Sequence, residues 1–227
     1  MSNLSHFESD VIETGAGELT LTFLGHGTLM LTFLDMHIHV DPFSRVADYG
    51  DLPEAELILI THGHRDHLDP DAIAEIRTED THVVLPPVCA DRIEGGTVMD
   101  NGDQHSLENV IIEAVPAYNM VHKRDNGEPF HPKGEGNGYI LTFGDTRVYI
   151  AGDTENIPEM KDLEDIDVAF LPMNLPYTMN PQMVADAARA FRPRILYPYH
   201  FGDTDTAELE TLLRDEADID VRIRDLA

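Results

Sequence analysis

Tryptophan is absent from this chain, cysteine occurs once, and lysine only three times among 227 residues. A lone cysteine, Cys89, rules out an internal disulfide and leaves no thiolate cluster to hold a metal. Its expected role is that of a small buried side chain. Serine is scarce as well: there are five, three of them within the first nine residues and none in a G-x-S-x-G turn. Serine-nucleophile chemistry is therefore not expected. Neither a P-loop nor a dinucleotide fingerprint is present. The longest apolar runs are strand-sized, far short of the roughly 20 residues that a helical membrane span requires. Met1 to Gly17 is polar and carries no apolar signal core. The expectation is a soluble, cytoplasmic protein whose first 17 residues are loosely ordered.

Positive charge is the other scarcity. Forty-three acidic residues stand against 15 basic ones, a formal net charge of −28. Such a field repels nucleic acid and anionic membranes, and neither is expected as a partner. The acids are spread along the whole chain rather than gathered in a tail. Self-repulsion on that scale is relieved when salt shortens the Debye length, so the composition resembles that of proteins from salt-loving organisms.

What the chain does have is histidine. Thr61-His62-Gly63-His64-Arg65-Asp66-His67 contains an H-x-H-x-D-H run directly after the apolar stretch Glu56–Ile60, which suits a buried strand. Asp69-Pro70 then reads as the cap and first residue of a helix through Ile73 and Ile76. Three imidazoles and a carboxylate thus crowd one strand-to-helix turn. These are ligands that zinc, manganese or iron accept. Four donors in six residues are too dense for one tetrahedral ion, which points to two neighbouring ions.

Further along, Leu19–Leu24 and Thr28–Leu34 alternate apolar and polar residues, as a hairpin does. His37–Asp41 reads as a third strand, with His37 and His39 on one face as exposed strand histidines. Strands are expected at His82–Leu85, Val110–Val115, Gly138–Phe143, Arg147–Ala151, Asp167–Leu171 and Arg194–Tyr199. Helices are expected after Asn180-Pro181 and after Asp205. Gly152 lets the backbone turn sharply and present Asp153 at a strand end, and His200 ends the last buried strand.

This ordered set, from about Thr20 to His200, resembles the metallo-β-lactamase superfamily. Leu24-Gly25-His26 is similar to the opening of its single-domain members akin to ascorbate-phosphate lactonase. The resemblance implies an α/β fold, a four-layer αβ/βα sandwich in one domain over residues 1–227. It also implies one or two metals at one edge and hydrolysis of esters, lactones, amides or phosphoesters. On its terms His62 and His64 hold the first ion, Asp66, His67 and His200 the second, and Asp153 bridges them. Asp41 supports the metal loop from behind, and His26 stands near the site as a proton donor or a supporting partner. The chain departs from the pattern at Tyr118-Asn119, where the third histidine of the first ion commonly lies. His131, in the stiff stretch Phe130–Gly134, is the preferred replacement, with His122, His105 or no third histidine at all as the alternatives.

The expected cofactors are two divalent ions, zinc first and manganese or iron next. Two ions about 3.5–4 Å apart can share a hydroxide and polarise the scissile group. The expected partner is a small anionic substrate, met by Lys133, Tyr118 and Asn119 beside the metals, with self-association into a homo-oligomer left open. The rival readings are an iron-dependent redox enzyme of the same fold and a metal-stabilised binding protein without turnover.

Overall fold

The computed structural model describes residues 4–227. The alternating run at Leu19–Leu24 lies in strand β2 (Gly17–Gly25), which pairs antiparallel with β1 (Glu8–Thr14) and with β3 (Thr28–Phe33). Strand β4 (Met36–Val40) closes the antiparallel part; β5 (Ala55–Leu59), β6 (Arg77–Leu85) and β7 (Thr97–Val98) add in parallel. The second sheet follows the same plan. Antiparallel pairings join β8 (Gln104–Leu107), β9 (Val110–Ala117), β10 (Gly136–Phe143) and β11 (Thr146–Ile150). Parallel pairings then add β12 (Val168–Pro172), β13 (Ile195–Tyr199) and β14 (Asp220–Val221).

The two sheets face each other across the main core. Phe23 meets Tyr197 at 5.2 Å between ring centroids, and Phe33 meets Phe143 at 5.0 Å. Strand β5 explains why its apolar run is unbroken: Leu57 and Leu59 enter this core, while Ile58 and Ile60 enter a second one behind the sheet. Helix α1 (Pro70–Ile76) covers that second core through Ile73 and Ile76. It starts where Asp69 accepts a hydrogen bond from the Asp71 amide. On the far side α2 (Pro181–Phe191) and α3 (Thr206–Leu213) pack their apolar faces on the second sheet. The result is the four-layer αβ/βα sandwich expected from the resemblance. No helix among the described residues is long and apolar enough to cross a membrane.

Two local expectations are corrected. Residues 8–14, within the stretch expected to be loosely ordered, form β1. Little apolar burial holds this strand. Its ladder to β2 does, together with Asp10, which accepts hydrogen bonds from Tyr197 on β13 and from Arg222 and Arg224 near the C-terminus. His39, expected to be exposed, is fully buried, with Nε2 3.1 Å from the Pro53 carbonyl oxygen. Burial lowers its pKa to about 4, so the ring is neutral at physiological pH. The shared face with His37 is as expected, but the loop around Tyr49 and Pro53 covers the His39 end of it.

Candidate metal centre

Strand ends deliver the site. Asp41 follows β4, the histidine turn follows β5, Asp153 follows β11 and His200 follows β13. Gly152 stands at φ +65°, and a Cβ there would lie 2.8 Å from the Asn137 carbonyl oxygen. Only glycine turns the chain this tightly against its neighbour. Gly27 is needed for a different reason: an added Cβ would sit 2.9 Å from His67 Cε1 and 3.2 Å from His200 Cδ2.

The donors form two groups that share a member. His62 Nε2 and His131 Nε2 lie 3.0 and 3.2 Å from His64 Nδ1. Asp153 Oδ2 completes this first group, 3.2 Å from His131 and 3.8 Å from His62. In the second group Asp66 Oδ2 lies 3.1 Å from His26 Nε2, 3.5 Å from His200 Nε2 and 3.7 Å from His67 Nε2. Asp153 Oδ2 is also within 3.6 and 3.7 Å of His67 and His200. One carboxylate oxygen therefore touches both sets. His131 is the histidine that the structure brings into the first group. His122 instead bonds Glu155 through Nδ1, and His105 lies on β8.

Three of the rings are oriented by their other nitrogen. Asp41 accepts from the Thr61 amide and hydroxyl and from His67 Nδ1 at 2.8 Å, which frees His67 Nε2. His62 Nδ1 lies 3.0 Å from Thr61 Oγ1, and His131 Nδ1 donates to Asn119 Oδ1 at 2.6 Å. Asn119 is thus buried behind the site as the holder of His131 and lines neither cavity there. Tyr118 is buried too, its hydroxyl donating to Glu159. Lys133 ion-pairs with the same Glu159 at 2.6 Å and lies over the Tyr118 ring, and neither residue lines a cavity at the site.

The sequence reading missed Glu155. Its buried carboxylate accepts from the amides of Met120, Val121 and His122, from His122 Nδ1, and from Asn119 Nδ2. It thereby clamps the loop that carries His131 onto the segment that carries Asp153. Arg92 was missed as well; it braces the histidine turn by donating to the carbonyls of Gly63 and Leu68.

The donor chemistry fits divalent cations. Buried atoms left without a hydrogen-bond partner include His67 Nε2, His200 Nε2 and Asp153 Oδ1. Such atoms are costly unless something binds them. Burial and the neighbouring His67 hold the His62 pKa well down, keeping its lone pair available. Burial alone would raise the Asp153 pKa, but His200 and His67 hold it well below the usual range and keep the group ionised. Burial opposes a charged His67, yet Asp153 and Asp41 lift its pKa to about 9. The cluster thus calls for positive charge at its centre. A cavity of about 600 Å³ opens on the first group, and another of about 500 Å³ on the second.

The profile of the β-lactamase superfamily domain matches residues 20–200. The chain belongs to the β-lactamase superfamily. A superfamily relative, a UPF0173 metal-dependent hydrolase of Koribacter versatilis, is 31% identical over 201 residues, covering 81% of this chain and 84% of its own. A solved structure from Parabacteroides distasonis, provisionally assigned as a metal-dependent hydrolase, is 53% identical with a TM-score of 0.94 over 98% of this chain and 100% of that one. The metallo hydrolase Igni18 of Ignicoccus hospitalis superposes with a TM-score of 0.75 over 92% and 96% of the two chains. At 24% identity that last likeness speaks to the fold of the superfamily alone.

Proposed function

We propose that this metal-dependent hydrolase of the β-lactamase superfamily holds two divalent ions side by side and cleaves an ester, lactone, amide or phosphoester bond in a small molecule. His62, His64 and His131 would hold one ion, Asp66, His67 and His200 the other, and Asp153 both. The observation that carries this reading is the position of Asp153 Oδ2, within 3.8 Å of an imidazole nitrogen from each of His62, His131, His67 and His200. Divalent ions in such a place supply Lewis acidity toward the oxygen of the scissile group and acidify a water. The chain's own residues prepare the site. Asp41, Thr61 and Asn119 fix ring orientation, and His26 steadies Asp66 through its Nε2. The two cavities leave room for a substrate beside the donors, which favours turnover over a closed structural site.

The test is elemental analysis of the purified protein, followed by a panel of lactones, phosphodiesters and amides. Zinc or manganese at up to two ions per chain is expected, and Asp153→Asn is expected to lower occupancy of both positions. Protein that carries no metal after metal-supplemented expression, and gains no activity on metal addition, would overturn the proposal.

A further inference from the structure

We infer that Arg124 and the outward Nε2 of His64 form an anion-recognition pair, so that the substrate carries a carboxylate or phosphate group beside the bond to be cleaved. This deepens the function proposed above and rests on it. The starting observation is that His64 is turned the opposite way from its neighbours. His62, His67 and His131 each present Nε2 to the cluster and bond Nδ1 to an internal oxygen: Thr61 Oγ1, Asp41 Oδ2 and Asn119 Oδ1. His64 presents Nδ1 to the cluster instead, and its Nε2 lies 3.4 Å from Arg124 Nη2.

A neutral imidazole that gives its Nδ1 lone pair to an ion carries its hydrogen on Nε2. Guanidinium nitrogens are donors only. Two donors at that separation cannot satisfy each other, whereas one oxygen set between them satisfies both. A carboxylate or phosphate oxygen is the strongest acceptor for that place.

Charge and rigidity support the same assignment. Eight of the 15 basic residues hold a carboxylate among the described residues. Arg124 is among the seven that hold none, and its place sets it apart from the other six. It lines both cavities, together with His64, His131 and Asp153. Its guanidinium lies 5.0 Å from the centroid of the Phe130 ring and donates to the Phe130 carbonyl at 3.1 Å. Its backbone sits in a tight hairpin, with the Arg124 amide donating to the Glu128 carbonyl at 2.7 Å. The fork is therefore positioned before any substrate arrives. Glu128 and Glu135 also line the first cavity, and the Glu128 carboxylate is engaged by Asn126 Nδ2 at 2.8 Å.

The experiment uses metal-loaded protein, with the metal content of every variant measured by mass spectrometry. Binding of inorganic phosphate and of acetate is followed by calorimetry for the parent, Arg124→Gln, Arg124→Lys and Lys133→Ala. The same proteins are assayed on a neutral ester and a carboxylate-bearing ester of one alcohol. Arg124→Gln should weaken anion binding by roughly tenfold or more, about 1.4 kcal/mol, with metal content unchanged and with the loss of kcat/KM confined to the charged ester. Arg124→Lys should recover part of the affinity, since it keeps the charge and loses the fork. Lys133→Ala should match the parent. A larger loss for phosphate than for acetate assigns a phosphate, and the reverse a carboxylate. Parent-like anion binding in Arg124→Gln, an equal loss on both esters, or loss of metal would overturn the inference while leaving the hydrolase reading intact. A parent that holds no metal and cleaves neither ester would overturn the hydrolase reading itself, and this inference with it.

Discussion

Replacing Glu155 by glutamine is the sharpest test of how the first group of donors is held. The substitution keeps the shape of the side chain but turns one acceptor oxygen into a donor. Oε2 accepts from the Met120 and Val121 amides at 2.7 Å each, and Oε1 accepts from Asn119 Nδ2 and from two nitrogens of His122. Whichever way the new amide faces, at least two N–H groups lose a charged acceptor and confront an NH2. Hydrogen bonds to charged groups contribute about 1.5–3 kcal/mol each, so the local cost is about 3–6 kcal/mol. A cost of that size is comparable with the whole stability of many domains. The cheaper response is for the loop to open locally. Asn119 then loses its anchor and, with it, the fixed acceptor for His131 Nδ1. The expected phenotype is a protein that stays folded, retains the ion at Asp66, His67 and His200, and loses the one at His62, His64 and His131. Metal stoichiometry after dialysis against a mild chelator reports this directly. Hydrogen exchange should show residues 119–131 losing protection while residues 61–68 keep theirs. Two ions per chain together with unchanged protection of the loop would refute the reasoning.

Gly27→Ala should weaken the second position and spare the first, because its Cβ would press on His67 and His200 at 2.9 and 3.2 Å. Overpacking of this kind costs about 1–3 kcal/mol, and the same stoichiometry assay reads it as one ion retained. Asp10→Asn should destabilise the protein by about 2 kcal/mol at neutral pH, measured by urea titration. Burial raises the Asp10 pKa, but the Tyr197 hydroxyl and Arg224 more than offset this and hold it below 3.8. Its contribution is therefore present above the unfolded carboxylate's pKa and is lost as pH falls through the folded value, so variant and parent should converge in strong acid. Finally, the melting temperature should rise as potassium chloride goes from low to molar concentration, because a net charge of −28 is progressively screened. A flat or falling curve would count against a salt-adapted surface.

The histidine turn was legible because its evidence is local: an apolar run, then donors, then a helix cap, all within about 15 residues of chain. His131 was legible for a similar reason, since the stiff Phe130–Gly134 stretch favours a fixed side chain. Asn119 and Glu155 were not. Asn119 lies in the stretch where the resemblance implies a histidine, and it holds one from 12 residues away. Glu155 gathers amides from a loop more than 30 residues upstream, a pattern that leaves no spacing signal in the sequence. The choice between Lys133 and Arg124 was equally hidden. Both lie in one loop, and only the folded positions set Arg124 beside His64 and Lys133 on Glu159. Strand β1 escaped notice because a lateral ladder and one ion cluster hold it, with no apolar stripe to read.

The matching order of strand pairings gives the molecule an internal repeat. Each half runs through three antiparallel joins and then three parallel ones, so the fourth strand of each is the hinge between the two modes. An aspartate emerges just beyond that hinge in both halves, Asp41 in one and Asp153 in the other. The two halves differ in what surrounds it. Asp41 has both oxygens engaged, by Thr61 and His67, whereas Asp153 keeps one oxygen with no partner. One carboxylate is closed off as a bracket, and the other is left open to serve as the ligand proposed above. The strand-end position is common to both, and the difference lies in whether a neighbour such as Thr61 occupies the carboxylate.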